Sequence, residues 1–225
     1  MNTAGQKPGG MIVELVKTIT AFDFTLEKER VFRTAECYPG MPSYKKAEII
    51  YPEIVQGLRN AVSPCAWICF GKTHWYCLLT LGSGAEPYVV SCAKDTLLKG
   101  LLADKAAEEL LFSMDSTVAA AVKAECRRRE VGIKRRLEAP EQLPWKAQQI
   151  ILKKIEKNQH TGVTVSDSYV FHPPRSMGYI LELTHKQDCF AAVHDCSTCK
   201  NKECLRRDGR QPLSGPQVQA AEKPD

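Results

Sequence analysis

Four cysteines lie within sixteen residues near the end of the chain, spaced Cys189-x6-Cys196-x2-Cys199-x4-Cys204. Thiolates this close in sequence suit Zn²⁺ or an iron–sulfur cluster, and a C-x2-C pair lets two ligands reach one centre from a tight turn. Asp195, Ser197, Thr198, Lys200 and Asn201 are the polar, turn-forming residues that such a knuckle needs. Cys196, Cys199 and Cys204 form the core of the set. Cys189 opens the apolar run CFAAV and is the provisional fourth ligand, with His194 as its substitute. Free or redox-active thiols are the other reading of the same spacing. Lys202, Arg206, Arg207 and Arg210 crowd the segment. They would neutralise an anionic cluster, dock an acidic partner, or simply form a solvated basic end.

The other six cysteines, Cys37, Cys65, Cys69, Cys77, Cys92 and Cys126, are scattered and read as small buried hydrophobes. So uneven a distribution argues against a secreted disulfide framework. His74, His160, His172 and His185 show no metal-binding pairing, and Trp67, Trp75, Tyr76 and Tyr88 read as core. No phosphate-binding glycine loop or nucleophile elbow occurs.

The chain has 225 residues, 44% of them hydrophobic, which suits one domain with an extension. A net charge of +5 is too mild for a dedicated nucleic-acid binder. The apolar runs are too short to span a membrane and no signal peptide is evident, so a cytoplasmic location is expected. The expected organisation is a disordered stretch over 1–10, an α/β domain over 11–188, the cysteine segment over 189–207 and a flexible tail over 208–225.

The elements that must position this chemistry follow from periodicity. Apolar residues from 42 to 62 recur at helical spacing, with Pro52 expected to kink or divide the helix. The runs 66–71 and 74–80 predict a hairpin across a short Gly-Lys-Thr turn, and 87–92 predicts a third strand. Helix is expected from Asp95, with Asp104 as a second N-cap, through to Arg127–Arg129 before Gly132. Residues 133–144 read as a connector. Trp145 to His160 reads as a helix with Gly162 as its C-cap, and VTVSD, SYVF, MGYILEL and CFAAV read as strands. The fold class is α/β (α+β): a mixed, largely antiparallel sheet packed with helices.

Residues 132–181 carry a family resemblance. A basic connector is followed by a Gln-containing amphipathic helix, then Gly-Val-x-Val-x-x-Ser, then Pro-x-Arg-Ser-Met. This order resembles the C-terminal half of the activation domain of cobalamin-dependent methionine synthase. VFRTAECYPGMPSYKKAEII resembles the opening of its short, freestanding members, and the similarity spans residues 28–207. The resemblance implies an accessory protein rather than a complete enzyme. Such a protein docks on a cobalamin-binding methyltransferase or corrinoid protein, presents S-adenosylmethionine to the corrinoid, and works with a reductase. The cobalamin belongs to the partner and carries the chemistry. Arg135, Arg136 and Glu138 stand in the connector where the family binds S-adenosylmethionine, and Arg175 and Ser176 stand where an anionic group would be met. The chain departs from the family at Ala139-Pro140, where the family has Gly-Tyr; close backbone approach and an aromatic wall are absent there. Reducing cob(II)alamin needs a low-potential electron, so the resemblance favours an iron–sulfur cluster over zinc at the cysteines. A binding module without redox activity, stabilised by zinc, is the alternative.

Overall fold

The computed structural model describes residues 15–24, 26–194, 196, 199, 200 and 204–207. In chain order the elements are β1 (Leu15–Ile19), α1 (Lys28–Thr34), α2 (Tyr44–Ala61), β2 (Cys65–Phe70), β3 (His74–Thr80), α3 (Ala85–Asp95) and α4 (Leu97–Arg129). They continue with β4 (Gly132–Glu138), α5 (Ala147–Glu156), β5 (Thr164–Val165), β6 (Phe171–His172) and β7 (Ser176–Thr184). Five strands form one antiparallel sheet in the order β1-β2-β3-β7-β4, and β5 and β6 make a small separate hairpin.

The expected fold class is what the chain adopts, and the β2–β3 hairpin falls where the apolar runs place it. Alternation along those strands feeds two cores. Ala66, Ile68 and Phe70 pack with α1 to α4 on one face. Trp67 and Cys69 pack with Ile151, Leu152 and Ile155 of α5 on the other. Both strands are buried on both faces, hence their nearly unbroken apolar sequence. Five of the six scattered cysteines are buried, and Cys65 is half-buried. Burial pushes the Cys77 thiol up to about 12, so it is inert filler.

Several elements differ from expectation. Residues 87–92 are not a strand but the middle of α3. Ala85, Val89 and Cys92 are its buried residues, at helical spacing, while Pro87 sits in the first turn, where its missing N–H costs nothing. Pro52 does not divide α2: it faces solvent, and the helix continues through it. The helix expected from Asp95 is a single 33-residue α4. It starts at Thr96, whose hydroxyl accepts from the Lys99 N–H at 3.2 Å, and it runs straight past Asp104. Gly100 lets α3 and α4 touch, since a Cβ there would lie 2.6 Å from Ala93 Cα. α5 is shorter than expected and ends at Glu156, well before Gly162. CFAAV forms only a parallel bridge between Phe190 and Ile133.

The correction that matters most for function concerns residues 133–144. Their first half is not a connector but β4, the edge strand beside β7. The leading strand β1 at the opposite edge had no counterpart in the sequence reading.

Candidate functional site

β4 carries GIKRRLE, and a β-bulge at Lys134 decides where its side chains go. An extra residue reverses the alternation of everything after it. Ile133 enters the helix-side core while Leu137, four residues on, enters the α5-side core. The bulge thereby turns Arg136 and Glu138 toward α4, and Arg135 toward the other face.

Arg136 is buried to 4% side-chain exposure. Its guanidinium pairs with Asp115 of α4 and with Glu138 at 2.7 Å, and lies 3.6 Å from the Tyr179 ring centroid. It also donates to the Ala192 carbonyl at 3.3 Å. The Tyr179 hydroxyl donates to the second oxygen of Asp115 at 2.7 Å. Burial works against the charge on Arg136, but Tyr179, Asp115 and Glu138 outweigh it and hold the guanidinium above its ordinary pKa. Burial, above all, pushes the Tyr179 phenol well up, so it remains a donor. Glu138 is shared, since its other oxygen lies 2.6 Å from Nδ1 of His194.

Above this network lies a cavity of about 260 Å³, just below the usual range for small-molecule sites. Lys134, Arg135, Arg136 and Glu138 line it from β4, and His194 and Cys199 from the segment after β7. Lys134 and Arg135 share the single carboxylate of Glu182, at 2.9 and 2.5 Å. One positive charge therefore faces solvent uncompensated by that trio, while Glu138 and Glu141 supply negative charge across the cavity. Both signs within one small concave site suit a zwitterionic ligand. A larger groove of about 530 Å³ runs between α5 and β5, lined by Lys153, Glu156 and His160. None of the residues singled out for chemistry lies there.

The structure thus brings Arg135, Arg136 and Glu138 together and sets Arg175 and Ser176 apart. Arg175 donates to Glu86 at 3.0 Å and to Asp104 at 2.6 Å, bracing the start of β7 against α3 and α4. The Ser176 hydroxyl lies 2.7 Å from both Thr80 Oγ1 and the Pro173 carbonyl. Neither residue lines the β4 cavity.

Among the described residues, no group of three or more His, Cys, Asp or Glu side chains is arranged to hold a metal ion, and the four clustered cysteines are all described. The Cys189 thiol donates to the Ile133 carbonyl at 3.1 Å, which holds it at the sheet edge.

Asp115, Tyr179 and His194 complete the site. His194 stood out in the sequence only as a substitute metal ligand. Asp115 had a legible signal: it falls on the same stripe of α4 as Leu111, Val118 and Val122, an acid where an apolar residue is due. Tyr179 had none, because a tyrosine in a buried strand is ordinary core.

The chain's α/β fold is a five-stranded antiparallel sheet with α1 to α4 on one face and α5 on the other. The chain is similar in fold to a solved structure, the MetH reactivation domain bound to AdoHcy. The TM-score is 0.52 at 9% sequence identity, over 81% of this chain and 82% of that one. No family model matches the sequence, and no curated protein matches it. Among the described residues, no helix is long and apolar enough to cross a membrane.

Proposed function

We propose that this chain is an accessory domain for the reductive reactivation of a cobalamin-dependent methyltransferase, and that the β4 cavity holds S-adenosylmethionine or its product S-adenosylhomocysteine. One coincidence carries the reading. The fold is that of a reactivation domain, and the residues that the family resemblance singles out in β4 converge on a cavity bearing both signs of charge.

Lys134 and Arg135 are the groups suited to the ligand's carboxylate, because Glu182 neutralises only one of them. Glu138 and Glu141 suit its ammonium and the cationic sulfonium. Arg136 is engaged on every side, and its work is to hold Glu138 in place. The bound ligand supplies a transferable methyl group; the chain binds and orients it. The corrinoid and the reductase reside on partners. The cysteine segment enters this reading as cavity wall rather than as an electron relay.

Calorimetric titration of the full chain with S-adenosylhomocysteine tests the reading. Saturable binding is expected. Glu138→Gln and Arg135→Glu should each weaken it about tenfold or more, a loss of about 1.4 kcal/mol or more. Absence of heat at millimolar ligand overturns the assignment.

A further inference from the structure

The β4 cavity has two walls of different origin. The inner wall is the sheet. The outer wall comes from the arm that follows β7, through Ala191, Val193, His194 and Cys199.

Near the sheet the arm is held by backbone. The Ile133 N–H donates to the Cys189 carbonyl at 2.8 Å, and the Ala191 N–H donates to the Ile133 carbonyl at 3.0 Å. Gly132 makes this approach feasible, since a Cβ there would lie 1.9 Å from the Lys186 carbonyl oxygen. Farther out the attachments are made by two consecutive arginines. Arg207 donates to the Cys196 carbonyl and, at 3.2 Å, to the Cys199 carbonyl. Arg206 reaches across to α4, pairs with Glu109, and lays its guanidinium 4.1 Å from the Phe112 ring centroid.

The Glu109 pair is costly. Its side chain is only 4% exposed, and burial pushes the carboxyl up despite Arg206 and, at 3.4 Å, Arg30. Burial likewise lowers the Arg206 pKa, and its Nη1 is buried without a hydrogen-bond partner. Desolvating two charges rarely stabilises more than a well-packed apolar pair would; what a buried pair fixes is position. A carboxylate on the apolar stripe of α4 marks one spot at which an arginine from the arm must land.

We infer that Arg206 and Glu109 are positioning residues for the β4 cavity: they anchor the far end of the arm on α4. Arg207, the next residue, then holds Cys196 and Cys199 by their carbonyls, so that Cys199 and His194 stand as the outer wall. The inference rests on the cavity's being the ligand site. It adds that the site is incomplete without the arm, and that residues far from the ligand in sequence govern its affinity.

Two readouts on the full chain separate this inference from the reading beneath it. The first is affinity for S-adenosylhomocysteine. The second needs no ligand: the rate at which iodoacetamide alkylates Cys199, followed by peptide mass spectrometry, with fully buried Cys77 as the internal control. Arg206→Met should weaken binding about tenfold and speed Cys199 alkylation by about the same factor, with Cys77 unchanged. Arg206→Lys, which keeps the charge, should recover most of both. Glu109→Gln leaves every arginine in place, and it carries the test if the methionine variant does not fold. Unchanged Cys199 labelling in these variants overturns the positioning role, and so does equal acceleration at Cys77, which would mean general loosening. If wild-type protein binds no S-adenosylhomocysteine, the ligand assignment fails, while the labelling still decides whether the anchor positions the arm.

Discussion

Arg136 and Arg175 are the same residue in nearly the same company, yet they end in different kinds of place. Each faces two carboxylates, one of them from α4: Asp115 and Glu138 for Arg136, Asp104 and Glu86 for Arg175. The two helix partners are eleven residues apart, about 16 Å along α4. At the Arg175 end the cluster closes between β7, α3 and α4, and Arg175 does not line the β4 cavity. At the Arg136 end the sheet has its edge. β4 pairs with a strand of the sheet on one side only, and its other edge meets the arm at Ile133, so the same chemistry borders an opening shared with the arm. Two charge clusters of one composition thus differ in setting: one is closed among packed elements, and the other borders a cavity at the sheet edge.

That contrast can be broken most forcefully at Arg136. Arg136→Met leaves Asp115 and Glu138 facing each other across a buried gap. It should cost about 3–5 kcal/mol in urea unfolding and abolish S-adenosylhomocysteine binding. Full stability in this variant would show that the network is not a buried pairing at all.

Arg175→Met should cost less, about 1.5–3 kcal/mol, because the carboxylates it leaves are half-exposed. Ligand affinity should not move, and a large loss of binding would erase the distinction between brace and site. The same variant carries a pH signature. Burial raises the Asp104 carboxyl, but hydrogen bonds from Arg175 and Lys105 outweigh it, and the net pKa lies below the ordinary value. A carboxyl lowered on folding contributes stability that is complete above its unfolded pKa and is lost as pH falls through the folded one. The stability gap between wild type and Arg175→Met should thus be widest above pH 5 and narrow toward pH 3. A gap constant over that range would remove Asp104 from the account.

The smallest effect is expected at Ser176→Ala, about 1 kcal/mol from the lost contacts to Thr80 and Pro173, again with unchanged affinity. A tenfold weaker ligand would return Ser176 to the binding site.

Much of the fold was readable from the chain itself. The hydrophobic alternation of residues 66–80 leaves little choice but a doubly buried hairpin, and the long stripe from Leu102 to Cys126 requires one packed helix. Local signals misled where a short apolar run fits two periods: residues 87–92 pass for a strand until Pro87 and Glu86 are weighed as a helix first turn. The basic run at 134–136 passes for a connector because an edge strand with one polar margin lacks clean alternation, and a bulge scrambles what remains.

The sequence by itself determined which residues carry charge and thiol chemistry, the buried β2–β3 hairpin and the helices α2, α4 and α5 in outline, and the class of fold that they build. Those follow from side-chain type and from periods of two and 3.6 residues, which are local properties. Only the tertiary structure decided that Arg136 meets Asp115 while Arg175 meets Asp104, and that Cys199 lines the β4 cavity. It also decided that Arg206 finds Glu109 nearly a hundred residues away. Such pairings depend on strand order, on the register set by one bulge, and on which sheet edge is left open. None of these is written in the spacing of neighbouring residues, because each is fixed by the packing of segments distant in the chain.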